Sequence, residues 1–252
     1  MHQFSRLRLV TFDVTETLLT FRVPPAEKYA DVGAQFGVIV DPNVISANFK
    51  KHWRYMSTSH PNFGQRTGLG WEKWWKLLVN KTFQDTVQGN AYNVSIFDTI
   101  GDHLIELYKT CECWKTVEGA EELLNHFNKL RVPLGIISNY DERLETVLEA
   151  MDLHHHFQFI ITSYCAGFEK PDSRIFRLAL CQLGNGSIKP NEALHVGNMP
   201  EIDYLGAVKA GWNAALVHQN PKKVTEHYHG VDPELVFETL KDFESYITHL
   251  HK

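Results

Sequence analysis

Cysteine is scarce in this chain of 252 residues, and the spacing of the few that occur excludes two kinds of site. No two cysteines are separated as Cys-x-x-Cys, so the sequence gives no sign of a zinc ribbon or a thioredoxin-like redox centre. We expect reduced thiols without a shared function, in a reducing compartment. The four cysteines are Cys111, Cys113, Cys165 and Cys181.

Long apolar runs and an excess of positive charge are also missing. No stretch reaches the roughly 18 apolar residues of a transmembrane helix, and the first residues lack the apolar region of a signal peptide. The net charge of −5 provides no electrostatic attraction for nucleic acid. The sequence therefore predicts a cytoplasmic or nuclear protein that binds neither membranes nor nucleic acid, and it indicates no particular protein partner.

Strands that alternate with helices fill the chain from Val117 to its end. This alternation predicts an α/β fold, with a parallel sheet that is covered by helices on both faces. One more strand is predicted at residues 7–12, and the segment after it reads as helical up to about Thr110. The organisation is thus a first strand, a helical insertion and then the rest of an α/β domain.

Asp13 is the strongest candidate for a catalytic residue. It directly follows the apolar run of residues 7–12, which delivers it to the carboxyl end of a buried strand. Ligands bind at that end of the strands in open α/β sheets, and a carboxylate there can act as a covalent nucleophile. The alternative is that Asp13 only caps the following turn. Motifs farther along the chain favour the nucleophile.

Four segments resemble, in the right order, the motifs of the haloacid dehalogenase-like (HAD) hydrolase superfamily. They are Asp13-Val14-Thr15-Glu16-Thr17, Ser138-Asn139, Lys170-Pro171-Asp172, and Gly197-Asn198 with Asp203. The resemblance implies a Rossmann-like α/β core of residues 1–20 and 113–252 with an inserted helical cap of residues 21–112. Within the superfamily, the Phe-Asp-Val-Thr start and the Ser-Asn-Tyr-Asp run after the second core strand most resemble one group of animal proteins.

The resemblance also implies how a small phosphorylated metabolite would be hydrolysed. Asp13 would be the nucleophile that forms an aspartyl-phosphate. Ser138, Asn139 and Lys170 would bind the phosphate, and the Lys170 ammonium would also neutralise the nucleophile. Mg²⁺ would be the cofactor. Its ligands would be Asp13, the backbone carbonyl of Thr15, Asn198 and Asp203.

Two positions depart from the pattern of the superfamily. Thr15 stands where most of its phosphatases carry an aspartate as general acid/base, and a hydroxyl cannot do that work at neutral pH. Asn198 stands where the family has a metal-binding aspartate, and a neutral amide oxygen brings no charge to Mg²⁺. We therefore predict a phosphatase that is slow or narrow in its substrate specificity and has a weakened Mg²⁺ site. Its catalytic residues would be Asp13, Thr15, Ser138 and Lys170.

Two other functions fit the same motifs. In the first, both departures abolish turnover, and the fold serves as a binding protein. In the second, the chain is a metal-independent dehalogenase-like hydrolase, because dehalogenases of the superfamily also lack the first-motif acid and carry asparagine in the fourth motif. Their first motif, however, has tyrosine at the position of Thr15, and their fourth motif is spaced differently. The sequence therefore favours the phosphatase over the dehalogenase.

Other conspicuous residues have simpler explanations. Residues 57–68 are predicted to form a long polar loop of the cap, which either contacts the substrate or is a surface loop without a role in binding. The run His154-His155-His156 lies at a helix-to-strand turn without accompanying acids or cysteines, which favours a surface turn over a metal site. Trp71, Trp74 and Trp75 share one helix at core-like spacing and predict packing within the cap.

Overall fold

A computed structural model of the chain describes Phe4, residues 7–87, Asn93, residues 95–183 and residues 187–250. The strands are β1 (Leu9–Phe12), β2 (Leu19–Phe21), β3 (Trp114–Thr116), β4 (Leu134–Ser138), β5 (Phe159–Thr162), β6 (Ala193–Gly197), β7 (Asn213–Val217) and β8 (Val236–Phe237). The helices are α1 (Pro25–Gln35), α2 (Pro42–Ser59), α3 (Trp71–Thr86), α4 (Ser95–Leu107), α5 (Ala120–Lys129), α6 (Leu144–Ala150), α7 (Ser163–Ala166), α8 (Ser173–Gln182), α9 (Leu205–Lys209), α10 (Pro221–His227) and α11 (Leu240–Leu250).

The main sheet is parallel throughout. Within the described residues its strand order is β5-β4-β1-β6-β7-β8, and β2 pairs with β3 in a separate two-stranded sheet. Strand β1 lies in the middle, between β4 and β6, so that the chain winds outward from it in both directions. A ligand crevice forms outside the carboxyl ends of the strands at such a switch point.

Successive residues of β1 show that helices cover both faces of the sheet. The Phe12 ring contacts Phe127 of α5, with the ring centroids 6.2 Å apart. Thr11, which points the other way, is in register with His195 of β6. The His195 ring in turn contacts the Phe176 ring of α8, with the ring centroids 5.4 Å apart. The predicted α/β fold with helices on both faces is therefore confirmed.

Some element boundaries differ from those read off the sequence. The polar loop expected from Ser57 begins later, because α2 continues to Ser59. The helix expected from Ile202 starts earlier, as a short π-helix (Pro200–Tyr204) that precedes α9. The histidine run forms a 3₁₀ turn in which His156 is buried and its Nδ1 lies 2.8 Å from the side-chain amide of Asn128. Among the described helices, none combines the length and apolar character needed to cross a bilayer.

The chain divides into two compact units. The α/β unit contains residues 1–20, 116–139 and 152–252, and the helical unit contains residues 21–115 and 140–151. The helical unit thus includes a second segment, which the expected cap of residues 21–112 did not. This segment starts directly after Asn139 and carries α6.

A buried ion pair joins the second segment to α3 within the helical unit. The Arg143 guanidinium lies over the rings of Trp71 and Trp75, at 5.1 and 4.9 Å from their centroids. Asp141, which is fully buried, accepts hydrogen bonds from Arg143 Nε and Nη2 at 2.8 and 2.7 Å and from Trp75 Nε1 at 2.7 Å. Each buried charge is therefore paired, which is the condition for its presence in the interior.

Removing one member of this ion pair should destabilise the folded chain. We predict that Arg143→Met lowers the free energy of unfolding by about 3–5 kcal/mol, because the Asp141 carboxylate is left buried without its cation. The measurement is urea denaturation at neutral pH. In the matched variant, Arg143→Met with Asp141→Asn, the amide oxygen can still accept from Trp75, and part of the loss should be recovered. Equal instability of the two variants would contradict this account.

Candidate active site

The residues expected to act together are gathered at the carboxyl ends of three neighbouring strands of the α/β unit. Asp13 directly follows β1, Ser138 ends β4, and Asn198 directly follows β6. Lys170 comes from the connection between α7 and α8. These positions follow from the parallel arrangement, since the ends of adjacent parallel strands meet at one edge of the sheet.

The Lys170 ammonium is the centre of the site. Its Nζ lies 2.8 Å from Asp13 Oδ1 and 2.7 Å from Asp203 Oδ1, and it donates to the Ile137 carbonyl oxygen at 2.7 Å. Burial favours the neutral amine, but the two carboxylates outweigh it and raise the pKa of Lys170. The ammonium is therefore a permanent positive charge, and it is screened little because only 1% of the side chain is exposed.

Asn139 fixes the backbone that carries this lysine. Its side-chain N–H donates to the Lys170 carbonyl oxygen at 2.9 Å, and its side-chain oxygen accepts from the Lys170 backbone N–H at 2.7 Å. These bonds occupy the amide oxygen and one of the amide hydrogens. The assignment of Asn139 as a phosphate ligand stays a prediction, and the structure gives the residue a positioning role.

Asp13 is held through one of its two oxygens. Ser138 Oγ donates to Oδ1 at 2.9 Å, and Lys170 contacts the same atom, whereas Oδ2 has no hydrogen-bond partner among the described residues. The side chain remains 13% exposed. Burial, reinforced by the charge of Asp203 and opposed by Lys170, raises the pKa of Asp13 above its ordinary value. Within the described part of the chain, Oδ2 is thus the Asp13 oxygen that is not engaged by a protein donor.

Asp203 has protein partners on both oxygens. Oδ2 accepts from the backbone N–H groups of Asn198 and Met199 at 3.0 and 2.8 Å, and Oδ1 contacts Lys170 and lies 3.4 Å from His195 Nε2. Burial alone would raise the pKa of Asp203, but Lys170 and His195 outweigh it and hold this pKa well below the usual range. Asp203 is therefore an ionised anchor for Lys170.

The close approach of Asp203 to the backbone depends on Gly197. A Cβ atom at this position would overlap the Asp203 carboxylate. Only glycine therefore allows the carboxylate to reach the two N–H groups that follow the end of β6.

His195 is a member of the site that the sequence motifs did not indicate. It is fully buried, with Nε2 at 3.3 Å from Lys170 Nζ and Nδ1 at 2.9 Å from Thr11 Oγ1. Burial and the positive charge of Lys170 lower the pKa of His195, so the ring is neutral. The available signal in the sequence was a titratable residue in the middle of a buried strand, two positions before Gly197.

The turn after Asp13 offers no replacement for the absent acid. Thr15 forms a β-bridge with Leu19. Glu16 is turned toward Thr20, whose hydroxyl donates to Glu16 Oε1 at 2.9 Å. The Thr17 hydroxyl is buried and has no hydrogen-bond partner in the described part of the chain. Thr15 stays a predicted catalytic position, but none of these side chains is a free carboxylic acid directed at Asp13.

The donor set fits Mg²⁺ only as a weak site. Asp203 has both oxygens engaged, so its assignment as a ligand stays a prediction. The remaining oxygens are Asp13 Oδ2, the Thr15 carbonyl and the neutral amide of Asn198, which together supply one carboxylate. In the described residues, no group of three His, Cys, Asp or Glu side chains is arranged to hold an ion. Mg²⁺ sites of this type depend on water and substrate phosphate for the other ligands.

The role of Gly197 can be tested by a pair of glycine substitutions. We predict that Gly197→Ala lowers the free energy of unfolding by about 1–3 kcal/mol, because the added methyl group displaces Asp203. Gly101→Ala is the control, since a Cβ at Gly101 of α4 meets other atoms only at ordinary distances of 3.6 Å or more. It should leave stability unchanged or raise it slightly. If chemical denaturation gives equal stabilities, the close approach at Gly197 is not a constraint.

Comparison with known proteins supports the family resemblance over most of the chain. A family model described as haloacid dehalogenase-like hydrolase matches residues 7–211. The rhythmically expressed gene 2 protein of Drosophila melanogaster is 41% identical over 256 residues, with 98% of each chain covered. Haloacid dehalogenase-like hydrolase domain-containing protein 3 of Mus musculus is 35% identical over 212 residues, covering 84% of this chain and 82% of the relative.

Solved structures share the fold at low sequence identity. A HAD-hydrolase of Bacillus subtilis, in a structure bound to magnesium, aligns with a TM-score of 0.67 and 17% identity over 97% of this chain and 100% of its own. A 2-haloacid dehalogenase of Pseudomonas syringae pv. Tomato aligns with a TM-score of 0.66 and 19% identity, over 96% of this chain and 99% of its own. The animal relatives and the family model carry the stronger conclusion: the chain belongs to the haloacid dehalogenase-like hydrolase family.

Proposed function

We propose that this hydrolase is a phosphatase that acts on a small phosphorylated metabolite through an aspartyl-phosphate on Asp13. One observation carries the proposal. Ser138 and Lys170 both contact Oδ1 of Asp13, which fixes the carboxylate and leaves Oδ2 without a partner among the residues that the structure describes. A nucleophile that is oriented and charge-neutralised on one oxygen and open on the other is suited to covalent catalysis.

The reaction would proceed in two displacements at phosphorus. Asp13 Oδ2 forms a bond to phosphorus while the bond to the leaving alcohol oxygen breaks, and that oxygen then takes up a proton. Water next attacks the phosphorus while the bond from phosphorus to Asp13 Oδ2 breaks, and it gives up a proton to solvent, which releases inorganic phosphate and restores the carboxylate. The buried charge of Lys170 lowers the repulsion between the carboxylate and the phosphate in the first step. Mg²⁺ held by the Thr15 carbonyl and Asn198 would supply further neutralisation of the phosphoryl oxygens, because Asp13 Oδ2 is committed to phosphorus in this step.

Protonation of the leaving group is the weak point of this site. Thr15 replaces the usual acid, and Glu16 is bonded to Thr20. Loss of a general acid typically lowers the rate by about 10²–10⁴-fold. Phosphate esters whose leaving group needs no proton, such as aryl phosphates, should therefore be hydrolysed much faster than alkyl phosphates.

The direct test is hydrolysis of an aryl phosphate by the purified chain, with and without magnesium. We predict turnover that is abolished by Asp13→Asn, which keeps the shape of the side chain but removes the nucleophilic charge. An alkyl phosphate in parallel should react far more slowly. Wild-type turnover equal to that of Asp13→Asn would overturn the proposal and favour a non-catalytic binding protein with this fold.

Restoring the two absent acids should raise the activity. We predict that Thr15→Asp with Asn198→Asp increases hydrolysis of the alkyl phosphate at least ~10²-fold, because it supplies a general acid and a second charged metal ligand. Asn198→Asp alone should lower the magnesium concentration for half-maximal activity. Thr15→Val, which adds no acid, is the control and should give no increase. Failure of the double variant would show that other positions limit the reaction.

A second candidate function is metal-independent hydrolysis of a 2-haloacid. The engagement of both Asp203 oxygens by protein donors and the neutral Asn198 favour it, since they leave Lys170 as the main cation beside Asp13. Halide release from a 2-haloacid without magnesium would support this candidate over the phosphatase.

A further inference from the structure

A small cavity of about 200 Å³ lies in the α/β unit at the carboxyl end of β7, the strand next to β6. Its volume is below the roughly 300–1,000 Å³ of pockets that take drug-sized ligands, so it has room only for a small ion or molecule. The described residues that line it include four polar side chains and no carboxylate. They are Pro200, His218, Lys223, Val224, His227 and Tyr228.

A backbone contact determines which ring nitrogen of His218 carries a hydrogen. Nδ1 lies 3.0 Å from the backbone nitrogen of Asn220 and must accept from it, because an amide N–H can only donate. The neutral ring therefore has its hydrogen on Nε2, which has no hydrogen-bond partner among the described residues. Nε2 would have to lose this hydrogen before it could bind a metal ion. His218 thus indicates an anion rather than a metal ion.

His227 is held in the opposite form. Its Nδ1 lies 2.8 Å from the backbone carbonyl oxygen of Lys223, which can only accept, so Nδ1 carries the hydrogen. Nε2 of the neutral ring is then an acceptor, and it too has no hydrogen-bond partner in the described part of the chain. The cavity is therefore lined by one ring that can donate through Nε2 and one ring that can accept.

Lys223 and Tyr228 add two further donors. Lys223 is exposed on α10, four residues before His227, so the two side chains lie on the same face of the helix. Within the described residues, the hydrogen bonds of Lys223 and Tyr228 are made by backbone atoms. The ammonium and the phenol hydroxyl therefore remain available. An ammonium that no carboxylate neutralises attracts small anions.

A tetrahedral anion that keeps one hydroxyl group matches these side chains. Oxygens of HPO₄²⁻ can accept from Lys223, His218 and Tyr228, and its own O–H can donate to His227 Nε2. Sulfate has the same shape and charge but no hydrogen, so it would direct a lone pair at this nitrogen. We propose that the cavity is a binding site for inorganic hydrogenphosphate, and that His227 makes it select phosphate over sulfate. The proposal does not depend on hydrolysis at Asp13.

The first test follows the two rings by NMR while inorganic phosphate is added to the labelled chain. The ring ¹H–¹³C signals are assigned by their absence in His218→Gln and His227→Gln, and ionic strength and a mildly alkaline pH are held constant. Both rings should show saturable shifts, and sulfate should bind at least ~10-fold more weakly because the His227 acceptor is left unpaired. His103 of the helical unit is the control ring and should not shift.

Methylphosphonate distinguishes free phosphate from a phosphoryl group that belongs to a larger molecule. Its dianion lacks a hydroxyl group, as does the dianion of a phosphate ester, and it should bind as weakly as sulfate. Binding of sulfate or methylphosphonate as tight as that of phosphate would overturn the proposal. Shifts that increase linearly without saturation for all three anions would overturn it as well.

Two neighbouring lysines provide a matched pair of variants. Lys223→Met should weaken phosphate binding about 10-fold, because it removes the charged donor that lines the cavity. Lys222→Met makes the same change in net charge outside the lining, and it should weaken binding less than ~2-fold because exposed charges are screened by salt. Equal effects of the two substitutions would show that only the overall charge attracts phosphate, and would contradict a defined site.

His227→Phe tests the selectivity, with the His218 ring as the reporter. It removes the acceptor, so phosphate and sulfate should then bind within ~2-fold of one another. His227→Gln, whose amide oxygen can still accept, should keep the preference for phosphate. A preference that persists in His227→Phe would overturn the role of His227. None of these measurements involves turnover, so they decide the proposal whether or not the chain is a phosphatase.

Discussion

The buried ammonium of Lys170 holds together parts of the chain that are far apart in sequence. It contacts Asp13 after β1, Asp203 after β6 and the backbone of β4, and all three contacts are 2.8 Å or shorter. Two carboxylates share one cation in the interior, so each charge depends on the others for its stability. The supporting contacts serve this arrangement: Asn139 fixes the lysine backbone, and Gly197 gives Asp203 room to approach.

The chemistry of the site follows from the same contacts. Because Lys170 and Ser138 both hold Oδ1 of Asp13, Oδ2 is the atom left for covalent bond formation. Because both oxygens of Asp203 are engaged and Asn198 is neutral, Lys170 provides most of the positive charge and a metal ion would be bound weakly. Because Thr15 is not an acid, it cannot protonate the leaving group as that group departs. We therefore expect the proposed phosphatase to be slow and to depend strongly on the leaving group.

The sequence predicted the parts of the structure that depend on local pattern. Apolar runs predicted the strands. Asp13 and Ser138 follow or end such runs, and they were expected to lie close together because the carboxyl ends of parallel strands meet at one edge of the sheet. His195 could not be found in this way, since its partners come from three other segments. The sequence also did not predict that residues 140–151 belong to the helical unit, because this depends on the packing of Arg143 on tryptophans of α3. Such contacts arise only from the folded chain.

Covalent trapping tests the central claim most directly. Wild-type protein is mixed with an excess of aryl phosphate, quenched in acid within the first turnovers, digested and analysed by mass spectrometry. The account predicts that the peptide containing Asp13 gains the mass of one phosphoryl group, that hydroxylamine removes it, as expected of an acyl phosphate, and that Asp13→Asn shows no gain. Steady release of phosphate without any adduct on Asp13, or an adduct on another residue, would contradict the assignment of Asp13 Oδ2 as the nucleophile.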